Sequence, residues 1–223
     1  MNPELLSNAI VLYLILVISI GIHEWGHAFA ADKLGDPTPR SQGRVTLNPI
    51  AHMDMLGTVI LPAIMLLLPV FGAPIGGFIF GWGKPVMVNP LAFKNKVRDD
   101  LLVTGAGPVS NLLLALVTAI VGAICIRFLG NAEDGSRLME LIQKIILLNL
   151  FLAVFNMIPL PPLDGSHFLK HAINMSEETY MKISQWSFFI LIILINTPFF
   201  NLIQYLVYWL YIPYGMLMGL LLP

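Results

Sequence analysis

The sequence predicts an all-α polytopic membrane protein with about six transmembrane segments. Of its 223 residues 57% are hydrophobic and 11% are charged, whereas about 25% of the residues in a soluble domain are charged. Most of the charge-poor stretches are long enough for the roughly 20 residues that span a bilayer. These stretches are residues 5–22, 55–83, 101–126, 145–163 and 183–223. No soluble module is evident between them, so we expect one integral-membrane domain over residues 1–223.

The net charge limits the expected partners, and the cysteine content limits the expected covalent links. A net charge of -1 indicates neither a nucleic-acid partner nor a polybasic surface. Cys125 is the single cysteine, so an intramolecular disulfide is excluded. Because the N-terminus has no basic region of the signal-peptide type, we expect residues 9–34 to form a retained first helix.

The first apolar run ends in the motif HEWGH at residues 23–27. His23 and His27 are four residues apart, so on a helix both imidazoles can reach one metal ion about 2.0–2.1 Å away. Glu24 lies beside them and can act on a metal-bound water without being a ligand. A charge at mid-membrane costs about 2.5–3.5 kcal/mol on insertion scales, so an intramembrane glutamate is expected to be functional. The motif predicts a catalytic metal site rather than a chance polar cluster.

A catalytic zinc ion uses three protein ligands and keeps a fourth position open. Asp164 is the favoured third ligand. It lies in NMIPLPPLDGSHF, where three prolines end the apolar run 145–163 and leave an irregular backbone. Such a loop can bring a carboxylate into the membrane.

Two other groups of residues are weaker candidates. His167 and His171 in HFLKH also have helical spacing, but Lys170 on the same turn would repel a cation. We favour a short amphipathic helix with interfacial histidines for this segment. His52 and Asp54 are either outer partners of the metal ligands or ordinary loop residues.

Three motifs together resemble the site-2 protease family of intramembrane zinc metalloproteases. They are HEWGH at 23–27, GAGPVSN at 105–111 and NMIPLPPLDG at 156–165, and the resemblance covers about residues 10–170. It implies that His23, His27 and Asp164 hold one zinc ion per chain and that Glu24 is the catalytic base. We expect a compact form of the family without a PDZ or CBS domain.

The same resemblance implies the substrate-binding residues. Asn156 would hold the backbone of the substrate. Asn111, together with Gly107 and Pro108, would shape the helix opposite. Asn156 and Asn111 are therefore the substrate-binding candidates.

A shared zinc ion constrains the topology. The helices that end near His27 and Asp164 must be parallel, with residues 101–126 running antiparallel between them. Residues 33–100 then cross the membrane an even number of times, so 55–83 is not one complete crossing. Its prolines and glycines, followed by β-formers up to residue 88, indicate either a re-entrant β-hairpin or a plain transmembrane hairpin. The sequence does not separate these two alternatives.

The distribution of basic residues predicts the orientation. Nine of the twelve lysines and arginines fall on the side of the predicted site, which the positive-inside rule makes cytoplasmic. We therefore expect a multi-pass protein of the cell membrane with its active site near the cytoplasmic face. The core covers residues 9–170, and the C-terminal stretch 183–223 is expected to form two helices separated near Pro198.

The predicted function is an intramembrane zinc endopeptidase that cleaves within or near transmembrane segments of membrane-protein substrates. The extended segment 77–88 would pair with unwound substrate by β-augmentation. The alternative function is a membrane zinc or divalent-metal transporter, since intramembrane His and Asp clusters also mark ion pathways. A transporter should carry such residues on several helices along a route, whereas here they gather at one depth.

Overall fold

The computed structural model describes residues 3–68, 81–128 and 132–221, and these residues are mostly helical. The chain divides into two compact units, Met1–Lys94 and Asn95–Pro223. No strand occurs among the described residues. An all-α protein with apolar helices is confirmed, whereas treating residues 1–223 as one domain stays a prediction.

The first unit is built on helix α1, Pro3–Lys33. The helix ends in a Schellman motif, in which Gly35 has a φ of 102°. The Asp36 N–H donates to the Ala31 carbonyl and the Gly35 N–H to the Asp32 carbonyl, which satisfies carbonyls that the helix end would leave unpaired. The chain therefore turns sharply once the HEWGH segment is complete.

Short helical elements follow α1 in the first unit. They are α2 (Thr38–Ser41), a 3₁₀ turn (Pro49–His52), a π-helical turn (Met55–Ile60) and α3 (Leu61–Leu67). The Asp54 carboxylate accepts hydrogen bonds from the N–H groups of Leu56 and Gly57 and so caps the π-helical turn. Residues 81–89 are extended.

The predicted β-hairpin is not seen in the described part of its segment. Residues 81–88 contain a single antiparallel bridge, between Met53 and Gly83. The backbone there bonds to other partners: Trp82 N–H donates to Gly57 O, and Thr58 Oγ1 donates to Trp82 O. These bonds occupy groups that a strand ladder would use. Residues 69–80, the rest of the predicted hairpin, lie outside the described residues.

The described residues of the second unit form five helices. They are α4 (Lys96–Phe128), α5 (Ala132–Asn156), α6 (Gly165–Ala172), α7 (Glu177–Ile195) and α8 (Phe199–Leu221). Helices α4, α5 and α8 pack against one another, and α6 packs against α4. The break between α7 and α8 lies at residues 196–198. Proline lacks the N–H that a continuous helix would need there.

Close packing of α4 on α5 depends on Gly122. A Cβ at this position would collide with the side chain of Ile142. Deeper in the same contact, Asn111 Nδ2 donates to Asn149 Oδ1 at 2.8 Å, and Asn111 is fully buried. The amide pair adds directional hydrogen bonding to an otherwise apolar helix contact.

Four helices among the described residues are long and apolar enough to span a membrane. They cover Leu6–Lys33, Lys96–Phe128, Glu133–Asn156 and Glu177–Ile195. The protein is therefore a multi-pass membrane protein, but the described residues contain fewer such helices than the expected six. Helix α8 has 23 residues but is not among these four. The described helical stretch Met55–Leu67 is shorter than the roughly 20 residues that span a bilayer.

Candidate metal centre

The two histidines of HEWGH face each other across one turn of α1. Their Nε2 atoms are 3.1 Å apart, and the ring planes meet at 84°. Two ligands of a tetrahedral zinc ion, each about 2.0–2.1 Å from it, are about 3.3 Å apart. The predicted convergence of His23 and His27 on one point is therefore present in the fold, and His23 is buried.

Glu24 lies against the backbone of the extended segment 81–89. A Cβ placed on Gly83 would be 2.9 Å from Glu24 Cγ, 3.0 Å from Glu24 Oε1 and 2.8 Å from Ile20 Cγ2. These distances are shorter than ordinary carbon contacts of about 3.5–4.0 Å. Only glycine allows the chain to pass this close to the carboxylate.

Two buried charged residues connect segment 81–89 to the loop that follows α1. Asp36 is fully buried, and its carboxylate accepts from Asn89 N–H at 2.7 Å and from Thr38 N–H at 2.9 Å. Arg44 is 4% exposed and donates to the carbonyls of Ala51 and Lys84. Burial lowers the pKa of Arg44 below its ordinary value. The nearby charge of Glu24 opposes this shift and only partly offsets it.

Sequence reasoning missed these two residues as parts of the site. They lie in the polar stretch 35–44, which looks like a solvated loop. Their partners at Lys84 and Asn89 are backbone groups, so no complementary residue type signals the contact. Arg44 is one of the nine basic residues on the side of the predicted site, but its burial shows that it has an internal structural role.

The two weak candidates of the first unit have local partners. His52 is 1% exposed and its Nε2 donates to the Thr46 carbonyl at 2.8 Å. Burial lowers the pKa of His52 below its ordinary value, and the hydrogen bond to Thr46 only partly offsets this shift. Asp54 caps the π-helical turn. Both residues shape the loops on either side of the bridge between Met53 and Gly83.

Asp164 directly precedes α6 in the second unit. Its carboxylate does not cap this helix. The neighbouring Gly165 packs against the carbonyls of Met157 and Ile158, where a side chain would collide with the backbone. The chain after α5 thus folds back tightly on itself just before Asp164.

His167 and His171 both bind the carboxylate of Asp100, which lies near the start of α4. Asp100 Oδ2 is 3.1 Å from His167 Nδ1 and 2.7 Å from His171 Nε2. Lys170 pairs with Glu177 at 2.5 Å. These histidines therefore anchor α6 to α4, a role that the sequence did not predict because Asp100 lies 67 residues before His167.

The two asparagines named as substrate-binding candidates lie on different helices of the second unit. Asn156 is the last residue of α5, and its side chain donates to the Leu152 carbonyl at 2.9 Å. Asn111 is buried against Asn149 in the α4–α5 contact. Their roles in substrate binding stay predictions.

Comparison with known proteins identifies the family. The sequence model described as Peptidase family M50 matches residues 124–196. "Putative zinc metalloprotease YwhC" of Bacillus subtilis is 36% identical over 192 residues, which cover 84% of this chain and 80% of YwhC. The chain belongs to peptidase family M50. Two further relatives of this M50 chain support the assignment.

"Putative zinc metalloprotease Rip2" of Mycolicibacterium smegmatis is 30% identical over 198 residues, 87% of this chain and 70% of Rip2. "Zinc metalloprotease MJ0392" of Methanocaldococcus jannaschii is 27% identical over 182 residues, 80% of this chain and 40% of that protein. No solved structure shows a significant match. Membership of M50 makes the protein a zinc metalloprotease and decides against the transporter interpretation.

The donor chemistry of the M50 chain fits zinc. Imidazole nitrogen and carboxylate oxygen are both common zinc ligands, and catalytic sites often combine two histidines with one carboxylate. The two imidazoles on α1 already have a separation close to that of two ligands on one tetrahedral ion. The suitability of these residues for zinc therefore follows from their own side-chain chemistry as well as from family membership.

Proposed function

We propose that the protein is an intramembrane zinc endopeptidase that hydrolyses peptide bonds within or near transmembrane segments of membrane-protein substrates. The observation that carries this proposal is the pairing of His23 with His27 inside a membrane-spanning helix, Leu6–Lys33. An M50 protease whose ligands lie within such a helix has its chemistry at membrane depth. Its substrates are therefore membrane-embedded proteins.

His23, His27 and Asp164 hold one zinc ion per chain in this proposal. The proposal is supported by the donor set, because each of the three offers one ligand atom that could bind a metal ion. Two histidines and a carboxylate leave the fourth position of a tetrahedral ion open. Zinc bound there supplies Lewis acidity to water and to the scissile carbonyl.

Glu24 is the proton carrier in the proposed mechanism. Its carboxylate takes a proton from the attacking water and then delivers that proton to the leaving amine. The contact with the backbone at Gly83 supports this role, since it restricts where the carboxylate can move. A general base needs this fixed position within hydrogen-bond reach of the proton that it removes.

The substrate must unwind before it is cleaved, because a transmembrane helix satisfies its own amide groups. Segment 77–88 is the proposed docking edge, and its described part, residues 81–88, is partly exposed, with Met87 62% exposed. Backbone pairing along this edge would replace the hydrogen bonds that unwinding removes. Asn156 and Asn111 are the proposed side-chain contacts.

The proposed location is the cell membrane, with the active site near its cytoplasmic face. The basic residues on that side support this orientation. Arg44 no longer counts among them because it is buried and bonds to backbone carbonyls. The remaining eight still outnumber the three basic residues of the other side.

The direct test is proteolysis by the purified protein. A panel of single-span membrane proteins is incubated with the protein in detergent or liposomes, with and without a zinc chelator, and cleavage products are identified by mass spectrometry. We expect cleavage within or next to the spanning segment, loss of cleavage with chelator and recovery on adding zinc. Cleavage confined to soluble substrates, or cleavage that persists with chelator and in His23→Ala, would contradict the proposal.

A further inference from the structure

Arg44 is a buried arginine with no part in the mechanism above. Its guanidinium donates through Nη1 to the Ala51 carbonyl and through Nη2 to the Lys84 carbonyl. Its Nε is buried without a hydrogen-bond partner among the described residues. An unsatisfied buried donor is destabilising and offsets part of the gain from the two hydrogen bonds.

The two carbonyls that Arg44 binds belong to two segments that contact α1. Residues 51–53 and 83–84 are joined by the bridge between Met53 and Gly83, with Lys84 N–H donating to the His52 carbonyl at 2.8 Å. Arg44 bonds to both of these segments, through the carbonyls of Ala51 and Lys84. A planar guanidinium can hold two acceptors at a fixed separation, which a lysine ammonium does less well.

The junction lies directly against Glu24. A Cβ placed on Gly83 would be too close to Glu24, so there is no room for a side chain at residue 83. The position of the backbone at this residue therefore limits the position of the carboxylate. A displacement of the Lys84 carbonyl would move Gly83, its neighbour in the chain. Arg44 therefore acts on Glu24 through the backbone that it holds.

The far end of the same segment is held separately. Asp36 accepts the Asn89 N–H at 2.7 Å, five residues beyond the carbonyl that Arg44 binds. Both anchors belong to the loop that follows the HEWGH helix. Arg44 thus binds the segment at Lys84, next to the residue that contacts Glu24. Asp36 binds it at Asn89, farther along the chain.

We propose that Arg44 is a positioning residue for proteolysis, whose guanidinium holds the backbone of residues 83–84 against Glu24 and so keeps the catalytic carboxylate in place. The proposal rests on the proposed function of Glu24 as the base. It assigns Asp36 the different task of fixing the remote end of the segment, where substrate would bind.

The test compares four variants of the zinc-loaded protein on a single-span substrate that the wild type cleaves. They are Arg44→Gln, Arg44→Lys, Asp36→Asn and the control Arg40→Gln, which removes an exposed arginine from α2, between Asp36 and Arg44. A misplacement near 1 Å can cost about 100-fold in rate, so we expect Arg44→Gln to lower kcat by about 10- to 100-fold with little change in KM. Arg44→Lys should recover part of this loss because it retains one charged donor.

Asp36→Asn should instead raise KM and leave kcat within about twofold, because asparagine has one acceptor oxygen and Asp36 uses two. Arg40→Gln should match the wild type. Zinc content, measured by metal analysis, should stay at one per chain in all four variants. These outcomes would separate positioning of the base from general support of the fold.

The proposal is overturned if folded, zinc-loaded Arg44→Gln has the wild-type kcat. It is also overturned if Arg44→Gln and Arg44→Lys lose zinc in proportion to their loss of activity, or if Asp36→Asn lowers kcat as much as Arg44→Gln does. Glu24→Gln is measured in parallel. A wild-type rate in that variant would contradict Glu24 as the base, whereas a wild-type rate in Arg44→Gln contradicts only the positioning role.

Discussion

Replacing Gly83 with alanine is expected to slow proteolysis without removing the metal. The new methyl group would be 2.9 Å from Glu24 Cγ and 2.8 Å from Ile20 Cγ2. Carbon atoms in contact prefer about 3.5–4.0 Å, so Glu24 or the backbone must move by about 0.6 Å or more. Overpacking of this kind costs about 1–3 kcal/mol of stability. A shift of this size near the reacting atoms should lower kcat by about 10-fold or more.

The assay for Gly83→Ala measures kcat, KM, zinc content and thermal unfolding in the same preparation. Gly219→Ala is the matched control, because a Cβ there meets no heavy atom within 4 Å. The control should keep wild-type kinetics. A Gly83→Ala protein with wild-type kcat would refute the contact with Glu24, and one that loses its zinc would show that the methyl group disturbs the ligands instead.

Three further predictions concern the metal, the pH response and the helix contact. Asp164→Asn should lower the zinc content below one per chain in metal analysis, and full retention would exclude Asp164 as the third ligand. Burial lowers the pKa of His52 below the ordinary histidine value of about 6.5, so the unfolded chain binds more protons below that pH and thermal stability should fall on acidification, by at most about 1.4 kcal/mol per pH unit. His52→Gln should remove this part of the pH dependence in unfolding measured between pH 7.5 and 5.5, and an unchanged profile would contradict it. Gly122→Ala should destabilise the protein by about 1–3 kcal/mol through collision with Ile142, whereas Gly135→Ala, with its nearest neighbour at 3.8 Å, should not.

Features that depend on local spacing could be predicted from the sequence. The pairing of His23 with His27 follows from helical periodicity alone, because both residues lie in one unbroken helix. The break at residues 196–198 follows from the missing N–H of Pro198. Apolar runs of sufficient length also predicted helices that are long and apolar enough to span a membrane.

Features that depend on distant backbone partners could not be predicted. Arg44 binds a carbonyl 40 residues away, and Asp36 binds an N–H 53 residues away. Every residue type has the backbone carbonyl, and every type except proline has the N–H, so the sequence holds no complementary signal for these bonds. Bonds of this kind explain why β-forming residues in 81–88 do not make a strand among the described residues. The backbone of Trp82 and Lys84 bonds to carbonyls and side chains of other segments.

The most direct test of the central claim is a paired measurement on Glu24→Gln. Glutamine is nearly isosteric with glutamate but cannot take up the proton, and Glu24 is not one of the proposed zinc ligands. We expect one zinc per chain by metal analysis together with a fall in kcat of about 10²–10⁴-fold on a single-span substrate. A Glu24→Gln protein that cleaves at the wild-type rate, or one that no longer holds zinc, would contradict the assignment of Glu24 as the catalytic base.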